Sequence, residues 1–197
     1  MSAGATDGGG PGTPPPLGPL RPRPVLRTDR LDLEPLGPEH LTGTWELLED
    51  VPSRRLTGTT ATFTHDQVQR WLAGLDAADD RLDWAVVTRA DGRHVGEVVL
   101  NDLDAHNRSM SLRIGLVDAA TGHGYGPEAI RAVLDHAFEV VLLHRVELEV
   151  YAFNPRAQRT YERCGFVVEG RRRDALWWDA EWTDALLMSV LATDRGR

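Results

Sequence analysis

One cysteine, Cys164, in 197 residues leaves no partner for an internal disulfide. The seven histidines, His40, His65, His94, His106, His123, His136 and His144, fall at no Cys/His spacing that a zinc site would need, so no metal is expected. No apolar run approaches the roughly 18 to 20 residues that cross a bilayer. The chain does not open with a basic stretch followed by an apolar segment. A cytoplasmic location and no membrane partner follow as expectations. Excess positive charge is also missing: the formal net charge is -8. Binding to nucleic acid, which rests on neutralising phosphates, therefore has little support, and a small or cationic partner fits better.

What remains is enough for one α/β domain of about 170 residues with a tail. Residues 1–24 are dominated by Gly and Pro with little to bury, and read as a disordered tail; residues 25–197 form the domain. Leu26, Leu31, Leu33 and Leu36 interleave with charged residues as a first strand. Residues 38–49 and 64–75 carry apolar residues at helical spacing, the second behind a Thr64/Gln67 capping pair. Residues 83–89, 94–100 and 109–117, separated by turn formers, read as an antiparallel meander. The period then switches to 3.6: Ile130, Val133, Leu134, Ala137, Phe138 and Val141 form one stripe of a long helix. A strand at 146–151, a helix capped by Asn154 and ended by Gly165, and strands at 166–169 and 184–191 complete the chain. The expected architecture is a mixed, mostly antiparallel sheet of about seven strands with about four helices.

The most informative stretch is Thr121-Gly122-His123-Gly124-Tyr125-Gly126-Pro127-Glu128, between a strand and the long helix. Glycines at alternate positions let backbone approach a ligand and leave N–H groups at the positive end of the helix dipole, where an anion is favoured. A dinucleotide fold would place such a loop after an early parallel strand, and a phosphate-loop nucleotidase would carry a lysine; neither holds here. A phosphate-bearing cofactor at a mid-chain helix remains.

With Thr121, Gly124 and Gly126 in the loop, and Asn154, Tyr161, Gly165 and Phe166 in the later NPRAQRTYERCGF segment, residues 25–192 resemble the GCN5-related N-acetyltransferase (GNAT) superfamily. The branch they resemble is that of the ribosomal-protein N-terminal acetyltransferases. The chain departs from the family in carrying Thr121 for Gln or Arg, and Pro127 where an N–H would face a phosphate. The resemblance implies the GNAT fold, acetyl-CoA as cosubstrate and direct attack by an amine, from a peptide N-terminus or a small molecule. It implies a splayed strand whose Leu116 or Val117 amide meets the acetyl group, and cofactor contacts from Thr121, Gly122, His123, Gly124, Tyr125, Gly126 and Asn154. Arg156 and Arg159, at the start of the helix after Asn154, are placed for the CoA 3′-phosphate.

Tyr161 lies seven residues after Asn154, about two helical turns on, and is placed to protonate the leaving thiolate. Glu97 on the second meander strand is the candidate base, with Asp102 and Glu149 as substitutes. Cys164 reads as packing. Trp177, Trp178 and Trp182 read as an amine-binding cluster, a core feature or a homodimer contact. A noncatalytic acyl-CoA-binding sensor is the rival from another class.

Overall fold

A computed structural model describes residues 16–195. Among the described residues eight strands form one sheet, in the order β1-β2-β3-β4-β5-β6-β8-β7. They are β1 (Leu26–Arg27), β2 (Leu31–Pro35), β3 (Leu82–Thr88), β4 (His94–Asp104), β5 (Ser109–Leu116), β6 (Arg145–Tyr151), β7 (Val167–Trp178) and β8 (Glu181–Leu191). The five α-helices are α1 (Leu41–Glu49), α2 (Val51–Thr57), α3 (His65–Gly74), α4 (Tyr125–Glu139) and α5 (Pro155–Arg163). Only β5 and β6 run parallel, and α4 crosses between them.

Three differences from the sequence expectation have local causes. The first strand is a hairpin, with Leu26 opposite Leu33 and Arg27 opposite Asp32, which gives eight strands rather than seven. The fifth helix, α2, is bracketed by signals easily passed over: Asp50 accepts from Ser53 N–H at 2.8 Å as its N-cap, and Gly58 closes it at φ 65°. β7 and β8 are far longer than expected, because Asp179 and Ala180, at φ 51° and 61°, turn a hairpin without the usual Asn-Gly.

The apolar stripe of α4 packs with α5 against one face of the sheet, around Leu31, Trp84, Val98, Leu100 and Met110. Val68, Leu72 and Leu75 of the α3 region cover Leu36 and Ala85 on the opposite face. Of the stretch 1–24 expected as a disordered tail, 1–15 lie outside the described residues, and 16–24 make contacts with the domain. Leu17 and Leu20 pack on the main core, and Gly18 N–H donates to Val141 O at 2.9 Å. The Pro24 carbonyl accepts from the indole N–H of Trp84 at 3.0 Å. A fully buried tryptophan needs a partner for that donor, which is why this Pro-rich stretch is held. No helix among the described residues is long and apolar enough to cross a membrane.

Candidate active site

β5 and β6 pair only from Ser109 opposite Arg145 to Ser111 opposite Glu147, and then part. Val117 N–H donates to Val95 O at 3.0 Å. The alternation of an antiparallel ladder therefore turns the amides of Ile114 and Leu116 away from β4 and toward the gap with β6. Of the two candidate amides, Leu116 faces the gap, whereas Val117 is engaged with β4.

The gap opens into a cleft of about 520 Å³ lined by Leu116, Thr121, Gly122, Gly124, Tyr125 and Gly126 on one side and Val150, Asn154 and Tyr161 on the other. Gly122 and Gly124 adopt φ 84° and 83°, a region that side chains disfavour. The amides of Gly122, Gly124, Tyr125 and Gly126 meet no acceptor among the described residues, so this helix end holds a set of unspent donors. Thr121 lines the cleft, but its amide and hydroxyl both donate to Asp118 O, at 2.9 and 2.7 Å, so it shapes the turn. His123 lies outside the cleft lining and stacks on Tyr125 at 5.7 Å. The loop is braced from β2's approach: Glu128 accepts from Thr28 Oγ1 at 2.6 Å and from Arg30 Nε at 2.7 Å, while Arg30 Nη1 donates to His123 O at 2.8 Å. Burial alone would raise the Glu128 carboxyl, but the Thr28 and Arg30 hydrogen bonds outweigh it and hold it below its ordinary value.

Asn154 uses its side-chain oxygen on Ala157 N–H at 3.1 Å, which leaves its NH2 for the cleft. Tyr161 is buried against Phe166, and burial, with Cys164 adding to it, pushes its phenol up to about 12. Of the two arginines expected at the start of α5, Arg156 lines the cleft, together with Arg131 and Arg163, while Arg159 is exposed and does not. Arg159 shares the side of α5 that carries Arg156 and Arg163 but falls just outside the arc that Arg156, Ala157, Thr160, Tyr161 and Arg163 present to the cleft.

A second cavity of about 600 Å³ lies on the sheet face covered by α1, α2 and α3. Glu97 looks into it from β4, and Thr44 Oγ1 donates to Glu97 Oε1 at 2.5 Å. Burial pushes the Glu97 carboxyl up to about 7; Thr44 opposes this, neighbouring Asp83 adds to it and Arg81 lowers it. The two cavities share Ser53, Thr57, Ile114 and Gly115. Sequence reasoning missed Ser53 and Thr57 along with α2; the Asp50 cap and Gly58 were the signal that could have found them. Asp102 is exposed outside both cavities, and Glu149 is ion-paired with Arg172. Trp177 and Trp182 touch at 5.1 Å on the hairpin, half-exposed and apart from both cavities.

A match to the acetyltransferase (GNAT) domain family spans residues 30–167. The chain belongs to the GNAT acetyltransferase family. Among its relatives, spermidine N(1)-acetyltransferase of Vibrio cholerae is 31% identical over 106 residues, covering 54% of this chain and 61% of that protein. The putative ribosomal N-acetyltransferase YdaF of Bacillus subtilis is 31% identical over 101 residues, covering 51% and 55%. The chain thus spans less than two thirds of the length of these curated relatives. The crystal structure of spermidine N-acetyltransferase from Vibrio cholerae in complex with CoA and spermine superposes with a TM-score of 0.80 at 22% identity, over 85% of this chain and 98% of that one. That likeness shows the GNAT fold.

Proposed function

We propose that the protein transfers the acetyl group of acetyl-CoA to a primary amine by direct attack. The observation that carries this is the meeting of two cavities at Ile114 and Gly115: one lined by unspent backbone donors, the other holding a buried carboxyl. The Gly122 to Gly126 amides and the α4 dipole take the pyrophosphate, and the Asn154 NH2 and the parted edge of β5 take the pantetheine arm. The Leu116 amide points at the place where negative charge grows on the thioester oxygen. Arg131, Arg156 and Arg163 add positive charge along the cleft wall.

The acceptor amine sits in the second cavity. With its carboxyl pushed up to about 7, Glu97 is half-ionised near neutral pH and takes a proton from the amine, directly or through water. Tyr161 keeps its proton throughout that range and delivers it to the departing thiolate. A base and an acid on opposite sides of the junction support turnover over a noncatalytic acyl-CoA sensor. A cavity of about 600 Å³ suits a small amine or the first residues of a peptide.

The test is thiol release from acetyl-CoA over a panel of peptides and small amines, with acetyl-CoA binding followed by thermal shift. Saturation at 100 times Kd should add roughly 2.7 kcal/mol of stability. Acetyl-CoA binding with no turnover of any amine would favour the sensor.

A further inference from the structure

The acceptor cavity is poorly built for a polycation. Glu97 is the one carboxyl lining it among the described residues, while Arg54, Arg81 and Arg113 all line it. Arg81 is neutralised by Asp83, which is fully buried and held at 2.8 and 2.6 Å by the guanidinium. Arg54, half-buried, is anchored on two carbonyls, Leu48 O at 3.0 Å and Ala61 O at 2.8 Å, and makes no ion pair with the described residues. The Arg113 guanidinium is exposed at the cavity and makes no hydrogen bond or ion pair with the described residues. Arg113 pairs with Val99, and Glu97 with Gly115, on neighbouring strands. The two side chains therefore leave the same face of the sheet from diagonal positions, about 7 to 8 Å apart at the backbone.

We propose that the acceptor is a small amine that also carries a carboxylate, the amine directed at Glu97 and the carboxylate held by Arg113 with the Arg54 charge behind it. The proposal rests on the acetyl-transfer reading for the identity of the site and adds to it the class of molecule bound. A planar guanidinium with all its donors free matches a carboxylate in two-point fashion. A linear polyamine would bring several positive charges against two uncompensated arginines and one carboxyl. Phe63, Trp71, Leu47 and Val68 also line the cavity and suit an apolar side chain branching from the carbon that carries the amine and the carboxylate.

The test compares phenylalanine, phenylalaninamide, phenethylamine and spermidine, by thiol release with acetyl-CoA and by calorimetric titration of the CoA-saturated protein. The carboxylated amine should lead its amide and the simple amine at least tenfold in kcat/KM or in Kd. Arg113→Gln should collapse that ratio to within about threefold, and Arg113→Lys should retain part of it. Arg113 is exposed, so neither variant threatens folding. Preferential binding of phenylalanine without turnover would sustain the anionic-acceptor proposal while sinking the acetyl-transfer reading. Turnover in which spermidine or the amide matches phenylalanine, or binding with no preference, would overturn the proposal, as would an unchanged ratio in Arg113→Gln.

Discussion

Thr44 on α1 donates to one oxygen of Glu97 on β4 at 2.5 Å, and the other oxygen makes no hydrogen bond within the described residues. A carboxyl tethered on one side and free on the other, between a helix and the sheet, is positioned as a base without being consumed by an ion pair. Its consequences appear first in the dependence on pH.

The rate should rise with pH through about 7, as Glu97 ionises. Glu97→Gln should remove that limb and cost about 10²- to 10⁴-fold in kcat/KM. Stability runs the other way. The folded value lies above the ordinary 4.5, so the protonated form favours folding. That contribution is complete below about 4.5 and is lost as pH rises through about 7. Chemical denaturation of both proteins at pH 5 and pH 8 checks the sign: Glu97→Gln should gain on the wild type at the higher pH, and a gain at the lower pH would reject the assignment.

Tyr161 has a second, separable signature. Its phenol keeps its proton to about 12, and its ring packs against Phe166 at 5.9 Å. Tyr161→Phe keeps the ring and removes the acid. Steady-state kinetics should show kcat reduced about 10²-fold with KM for acetyl-CoA within about threefold; an unchanged kcat would remove Tyr161 from the mechanism.

The brace behind the glycine loop should matter for the cofactor. Arg30 and Glu128 are joined by hydrogen bonds, and Arg30 also lies over the Tyr125 ring at 5.2 Å. Arg30→Ala and Glu128→Gln should each weaken acetyl-CoA binding about five- to tenfold by calorimetry. The double variant should lose little more than either single change, because both break one coupled contact.

Gly58 lies beside the Tyr151 hydroxyl, and a Cβ there would sit 2.5 Å from that oxygen at φ 65°. Gly58→Ala should cost about 1 to 2 kcal/mol in urea denaturation, since both the left-handed backbone and the contact oppose it. Adding Tyr151→Phe relieves the contact alone, so the double variant should recover only part of the loss.

The 16–24 segment offers a stability test by truncation. A chain beginning at residue 25 loses the Leu17 and Leu20 packing and leaves the Trp84 indole N–H without Pro24. It should melt about 5 to 10 °C below a chain beginning at residue 16, corresponding to about 2 to 3 kcal/mol. Equal melting temperatures would return the segment to the status of a passive tail.

Signals confined to neighbouring residues were legible without coordinates. Alternating glycines before an amphipathic stripe announce a helix opening on an anion. The Asn154-Pro155 cap and the Tyr161 spacing set the register of α5 through 3.6-residue geometry alone. The hairpin of β7 and β8 stayed hidden, because Asp179-Ala180 occupies positions where Asn-Gly would have advertised a turn.

The amino-acid sequence by itself determined four of the five helices, most of the strands and the phosphate loop, since each follows from propensity and period over a few adjacent residues. Tertiary structure alone decided which side chains share a site. Leu116 rather than Val117 meets the gap because the phase of the β4–β5 ladder sets which amides are spent. Glu97 is a base candidate rather than a solvated strand residue because α1 lies over it. Arg81 is paired because folding brings the buried Asp83 against it, whereas Arg113 makes no ion pair with the described residues. Convergence of residues far apart in the chain depends on packing between elements, and no local pattern encodes it.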